Sequence, residues 1–468
     1  MLFNSYIFLF VFLPVVLAVW WLPLRTAWRL AFLCGASYVF YSYFDWRFSF
    51  LMLGTTVVDY LAGHAICRTE HPGRKKLWLV LSLLYNLGML GFFKYYDFFA
   101  LSVNAAAARL GIGGVELQVL HLILPIGISF YMFESVTYTI DIYKGLARPA
   151  NSFLHYALFI CIFPKLIAGP IIRYTDVEEQ YRTLRTRIDW ELMQRGIWFF
   201  VYGLVKKLLL ADLIAARIDP MFAHVDQLGL NTGWAALLGY SFQIYFDFSA
   251  YSDMAVGLGF MLGFRFPQNF NRPYLATNVS DFWNRWHITL SRWLRDYLFI
   301  PLGGSRAGLG RTLLNLMITM FLGGLWHGAN WTFVIWGVFH GGLLALFHLA
   351  RHALGERAPR IPVWLSRPFV FLLVTLGWLP FKNATLDETI RHGEALVGLH
   401  GYAGAYPLAG LGELWTLIAV AAVWVAVVPE IWDWKPAPKR RWAVALAGLT
   451  LACVARLGSE SPFLYFQF

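Results

Sequence analysis

Apolar runs of about twenty residues recur along almost the whole chain, and no other feature restricts the possible folds so severely. The first, YIFLFVFLPVVLAVWWLPLR, starts at Tyr6 and meets no charge until Arg25. A helix of that length crosses about 30 Å of hydrocarbon. In lipid the backbone must satisfy its own polar groups, so repeated runs of this kind predict repeated helical crossings. Composition agrees, since 59% of the 468 residues are hydrophobic and only 14% are charged. That balance excludes an ordinary soluble domain. The sequence therefore predicts an all-α polytopic integral membrane protein, one transmembrane domain over residues 1–468 with no linker or repeat to divide it. The first run has no Lys or Arg before it and no small-x-small cleavage site, and it reads as a retained span.

The net charge of +11 gains meaning from where the basic residues fall. Arg25 and Arg29 follow the first span, Arg68, Arg74, Lys75 and Lys76 the third, and Lys144 and Arg148 the fifth. Further clusters lie between about 265 and 311, at Arg351, Arg357, Arg360 and Arg367, and from Lys435 to Arg441. The alternate loops, near 98–118, 217–232 and 383–410, are neutral or mixed. Basic loops stay cytoplasmic, which predicts about twelve crossings with both termini on the outer side. The predicted spans are 3–23, 27–44, 48–66, 77–99, 119–142, 196–216, 233–263, 312–327, 331–350, 364–382, 411–430 and 442–458. Basic residues serving membrane topology leave no separate signature of a nucleic-acid partner.

Two apolar pieces do not fit that alternation. NSFLHYALFICIFPKLIAGPII, residues 151–172, has basic loops on both sides and breaks at Pro164 and Gly169-Pro170. It is expected to be re-entrant, which requires protein or a water-filled cavity around its backbone. The second piece, DFWNRWHITLSRWLRDYLFIPLGGSR, spans 281–306. On a helical wheel Trp283, Trp286, Leu290, Trp293 and Tyr297 form one aromatic stripe, with Asp281, Arg285, Arg292, Arg295 and Asp296 opposite and Arg292 and Asp296 in i,i+4 register. That pattern predicts a helix lying in the cytoplasmic interface against membrane lipids, with arginines free to receive an anionic donor. His287 falls near the edge of the stripe and is expected to face protein.

Residues 321–331 read FLGGLWHGANW. The run before His327 looks too short to cross alone, and Gly323, Gly324 and Gly328 are expected to let the chain stop and turn, exposing His327 to a cavity. Histidine at membrane depth marks a functional site by default, and it is the side chain best suited to take a proton from a hydroxyl near neutral pH. His340 is expected to pack, and His348 and His352 to lie near the cytoplasmic end. A second polar group, SFQIYFDFSAYSDMAVG, puts Gln243, Asp247 and Tyr251 on one helical face, either as a clamp with Lys206 or Lys207 or as a substrate lining. Glu134 and Asp141 form a third. Cys34, Cys67, Cys161 and Cys453 are scattered, with no metal or disulfide spacing. No P-loop, GxSxG, HExxH or dinucleotide fingerprint occurs.

Taken together, DFWNRWHITLSRWLRDYLFIPLGGSR and GGLWHGANWTFVIWGVFHG resemble the membrane-bound O-acyltransferase superfamily. The resemblance is greatest to its bacterial polysaccharide-acetylating branch, which includes the alginate O-acetyltransferase membrane subunits. LPIGISFYMFESVTYTID (124–141), FPKLIAGPIIRY (163–174), SFQIYFDFSAYSDMAVGLG and the closing FLYFQF support it, with Ala250 a small departure where relatives usually have glycine. The resemblance implies about twelve spans plus re-entrant and interfacial helices around a central cavity, with no bound cofactor and no metal. It implies transfer of an acetyl group from a cytoplasmic thioester, acetyl-coenzyme A or an acyl carrier protein, to an exported polysaccharide such as alginate. Peptidoglycan, cellulose and teichoic acid are alternative acceptors, and a non-catalytic acyl or glycan transporter is the reading from another class. A periplasmic relay or acetyltransferase protein is the implied partner, and the bacterial inner membrane the implied location. The signature histidine maps to His327, and the second position, usually Asn or His, to His287, with Asp281 or Ser291 expected beside it. Arg285, Trp286, Ser291, Arg292, Arg295, Trp326, Asn330, Gln243, Asp247 and Tyr251 are the expected donor- and substrate-binding residues.

Overall fold

The structure is a computed structural model that describes residues 1–114, 116–357, 359, 361–434, 440–458 and 463–464, with Glu356 described by its backbone alone. Arg360, Lys435 and the last four residues of FLYFQF lie outside the described residues. Those described are overwhelmingly helical, with a single isolated bridge between Leu228 and Gly404. Among the described residues five helices are long and apolar enough to cross a membrane: Arg47–Arg68, Pro72–Leu110, Leu309–His327, Trp331–Leu354 and Val363–Lys382. Phe8–Trp20 and Leu411–Val427 are apolar but shorter. The chain forms two compact units, Met1–Trp198 with Ala255–Pro267, and Phe199–Met254 with Gln268–Phe468.

In the first unit, polar groups at membrane depth join helices that apolar side chains alone would not hold together in lipid. Asp59, on Arg47–Arg68, accepts hydrogen bonds from Ser82 Oγ at 2.6 Å and from Asn86 Nδ2 at 2.9 and 3.1 Å. The stretch expected to be re-entrant forms the nine-residue helix Phe153–Cys161, about 14 Å long at 1.5 Å per residue and too short to cross. The chain beyond it is non-helical and buried from Ile162 to Ile172. Its backbone is satisfied from outside: Phe163 N donates to Ser37 Oγ at 3.1 Å and Ile172 N to Glu134 Oε1 at 3.0 Å, while Lys165 pairs with Glu134. Arg29, assigned from sequence to a basic loop, is instead a buried residue of Thr26–Ser42. Its guanidinium lies over Trp20 and donates to the Trp20 and Arg185 carbonyls, so it serves packing. The span expected at 119–142 is helical only from Ile128 to Tyr143, because Pro125 and the left-handed Gly127 hold the preceding chain out of the helix.

The second unit contains the hairpin Leu309–His327 and Trp331–Leu354. The first helix starts earlier than expected and runs for 19 residues, so it is not too short to cross. Gly323 and Gly324 lie inside it and do not break it. Their use is close approach: a Cβ on Gly324 would fall 2.3 Å from the Phe333 carbonyl oxygen, and one on Gly337 2.4 Å from that of Met320. The turn itself is made at Gly328, with extended backbone, and Asn330 caps the second helix by accepting from Thr332 N at 3.1 Å.

Candidate active site

His327 is the last residue of Leu309–His327 and is buried, 4% exposed. Three rings surround its imidazole: Trp326 at 5.0 Å between centroids, Trp336 at 4.9 Å and Phe381 at 5.2 Å. The expected open cavity at this residue is therefore not what its surroundings provide. The glycines draw the two helices together over the histidine instead of parting them around it.

His287 departs further from the expectation. The predicted single amphipathic helix is two short ones, Val279–Trp283 and Ile288–Leu294, followed by a wide turn at Arg295–Phe299. The break falls at His287, whose backbone is left-handed (φ 43°, ψ 55°). Asn269 enforces it. Its carbonyl oxygen receives Ile288 N at 2.9 Å, while its side-chain Oδ1 accepts from Thr289 N at 3.2 Å, Thr289 Oγ1 at 2.9 Å and His287 Nδ1 at 3.2 Å. The expected partners Asp281 and Ser291 do other work: Asp281 pairs with Arg285 at 2.7 Å, and Ser291 Oγ donates to the Trp286 carbonyl at 3.3 Å. Because Oδ1 is already the acceptor for Thr289, Nδ1 of His287 carries the proton and the lone pair sits on Nε2. Complete burial holds this imidazole far below its ordinary value, at about 3, so it is neutral at physiological pH. A neutral Nε2 accepts a proton or hydrogen bond and does not polarise a carbonyl, which narrows the role expected for it.

The two histidines are brought together through Trp326, 5.9 Å from His287 and 5.0 Å from His327 between ring centroids. Trp286 is not a lipid anchor: it is 1% exposed and packs against Trp378 at 4.9 Å and Phe282 at 5.6 Å. The helix break rotates it off the predicted stripe and into the core.

A cavity of about 540 Å³ opens beside these helices, lined in part by Trp283, Ser291, Arg292, Arg295, Thr319 and His348. Neither His287 nor His327 is among its lining residues. Met320 and Leu344 also line it, packed with Val279 and Trp283 in an apolar cluster. Of the expected donor-binding arginines, Arg292 and Arg295 line this space and Arg285 does not; Arg295 also holds Asp296 at 2.7 Å.

The remaining expected site residues lie elsewhere. Asn330 spends its oxygen on the helix cap and its amide on the Ala384 carbonyl at 2.8 Å. On Leu230–Met261, Gln243, Asp247 and Tyr251 are buried, and Asp247 forms the clamp with lysine that the sequence had left open. A wide turn at Lys207–Ala211 lets two consecutive lysines face inward. Lys207 Nζ reaches Asp247 at 2.7 Å and Asp212 at 2.8 Å, and Lys206 Nζ reaches Asp253 at 2.5 Å and Ser249 Oγ at 2.9 Å. The second oxygen of Asp247 accepts from Leu464 N at 2.8 Å, and Tyr251 meets the ring of Phe463 at 5.0 Å. These groups bind the chain's own C-terminal segment. Sequence reasoning missed Asn269, one of two asparagines in PQNFNRPY that no motif distinguishes, and His348, whose place in the cavity wall no spacing announces.

Residues 144–372, which contain both histidines and the cavity, match the family described as MBOAT, membrane-bound O-acyltransferase. The chain is 44% identical to a probable alginate O-acetylase AlgI of Azotobacter vinelandii, over 84% of this chain and 77% of that one. The chain belongs to the membrane-bound O-acyltransferase family. It is 38% identical to the corresponding Pseudomonas putida protein over the whole of both chains, and 37% identical to a peptidoglycan O-acetyltransferase of Helicobacter pylori over 86% of this chain and 80% of that one. The chain is thus an acyltransferase, and His327 lies in the segment that the family match covers.

Proposed function

We propose that this acyltransferase moves an acetyl group from a cytoplasmic thioester to a hydroxyl destined for an exported polysaccharide, with His327 as the general base. The observation that carries this is the placement of a buried histidine at a helix end, walled by Trp326, Trp336 and Phe381 and linked through Trp326 to a second buried histidine. In the step, the hydroxyl oxygen bonds to the thioester carbon as His327 takes its proton, the carbon–sulfur bond breaks, and the departing thiolate recovers that proton. For the acceptor to reach His327, one of the covering rings must swing aside.

Arg292 and Arg295, in the wall of the 540 Å³ cavity, supply the cations that would hold the phosphates of acetyl-coenzyme A or of a carrier protein's phosphopantetheine arm. The distribution of basic loops supports a reading in which this face lies in the cytoplasm, in a bacterial inner membrane crossed about twelve times with both termini periplasmic. The immediate acceptor is a periplasmic relay or acetyltransferase protein, or the glycan itself. Full-length similarity to an alginate O-acetylase makes alginate or a similar glycan the first polymer to examine, and peptidoglycan the second.

The test compares cells making the wild-type chain or His327→Ala at equal abundance. Acetyl content of the exported polysaccharides, read by mass analysis, should fall to the level of cells without the protein, a loss of about 100-fold or more for removal of a general base. Unchanged acetylation would remove His327 from the chemistry, and the polymer that loses acetyl groups names the acceptor.

A further inference from the structure

The reaction develops negative charge on the thioester oxygen as the hydroxyl attacks, and hydrogen-bond donors aimed at such an oxygen commonly supply a large share of catalysis. His287 is unsuited to donate, since its Nδ1 proton is committed to Asn269. A different group of polar atoms lies between the cavity and His327. Trp283 lines the cavity, and its ring meets His340 at 5.2 Å and Trp336 at 5.7 Å between centroids. Trp336 meets His340 at 4.9 Å and His327 at 4.9 Å. The rings thus lead from the cavity wall, through His340 and Trp336, to the proposed base.

Each of the three rings carries a buried nitrogen that makes no hydrogen bond among the described residues: Nε1 of Trp283, Nε1 of Trp336 and Nε2 of His340. Trp336 and His340 are each 1% exposed. Burying such a group unpaired costs about 1–3 kcal/mol, so three in one cluster need a reason. Two of them are indole N–H groups, which can only donate. A site made of them favours an acceptor atom. Gly377 adds to the case, because a methyl group there would fall 2.6 Å from His340 Nε2. A side chain at 377 would cover this nitrogen.

We propose that Trp283, Trp336 and His340 bind the thioester carbonyl oxygen of the donor and stabilise its negative charge during transfer. This rests on His327 as the base. The hydroxyl oxygen attacks the carbonyl carbon, the carbonyl electron pair moves onto the oxygen held by the two indole N–H groups and His340 Nε2–H, and collapse expels the thiolate. Sequence had assigned His340 to packing. Packing explains its rings but not the unsatisfied nitrogens around it.

The experiment uses cells of the source strain in which only the tested full-length variant is made, fed labelled acetate, with acetyl groups on exported polymer measured per unit of membrane-inserted protein. Trp336→Phe and His340→Leu keep the packing and remove the donor; each should lower acetylation at least tenfold, in line with the loss of about 100-fold in turnover when one oxyanion donor is removed. His340→Gln, whose amide restores a donor, should recover most of what His340→Leu loses. If Trp336→Phe and His340→Leu acetylate within twofold of wild type, or if His340→Gln is no better than His340→Leu, the carbonyl site is wrong and the nitrogens hold at most a structural water. His327→Ala, run beside them, separates the two ideas: its activity judges the base, and the other variants judge the donors.

Discussion

Position 287 shows why a single backbone angle can dictate which residues a position accepts. With φ at 43°, the residue sits where asparagine and histidine are enriched and most side chains are strained. A histidine here thus has a backbone cause as well as a chemical one. His287→Ala would mix loss of the ring with roughly 1 kcal/mol of left-handed strain. His287→Asn keeps the backbone, and is expected to leave protein abundance and thermal stability close to wild type while lowering acetylation. If both variants lose stability equally, the left-handed argument fails. Because burial holds His287 neutral down to about pH 3, the acidic limb of the activity profile should belong to another group and be the same in His287→Asn. His327 could be picked out in the sequence from its glycine and tryptophan neighbours, while His340 could not. Its significance lies in the nitrogens of two tryptophans on different helices, and one-dimensional spacing carries no record of them.

At the level of helices, the hairpin carrying His327 owes its closeness to glycines on facing sides. Gly337 meets the backbone of Met320, and Gly324 that of Phe333. A side chain at 337 would have to push the helices apart, since the obstacle is main chain and cannot rotate away. Gly337→Val should therefore lower stability by about 1–3 kcal/mol as overpacking does, and displace His327 relative to Trp336. Loss of acetylation with a lowered melting temperature in detergent is the expected pair of results, and a wild-type melting temperature would contradict the geometry. Sequence made Gly323 and Gly324 helix breakers, a fair reading where glycine ends a helix, but here the facing backbone gives Gly324 a different use. The same limitation explains the broken stripe at 281–297. Four aromatic positions and Leu290 at spacings of three and four fit a wheel, yet the wheel assumes helical backbone throughout, and Asn269, a dozen or more residues earlier, imposes the break.

Across the whole chain, the apolar periodicity and the intervals between charges were enough to announce a helical membrane protein, because lipid punishes any other arrangement of backbone. What sequence could not supply is which buried charges meet. Lys207 is the clearest case: it is held between Asp247 and Asp212, and Asp247 also receives Leu464 N. Lys207→Met leaves two carboxylates without their cation at a cost of about 3–5 kcal/mol, and should remove most folded protein from the membrane. If Lys207→Met accumulates and melts as wild type does, this network is not holding the second unit. The bond from Leu464 has a consequence for how the protein is made. Asp247 is synthesised more than two hundred residues before the backbone group that completes its shell, so the second unit cannot finish its interior until residue 464 has been made. A chain stopped before residue 464 would leave that carboxylate oxygen permanently without this partner.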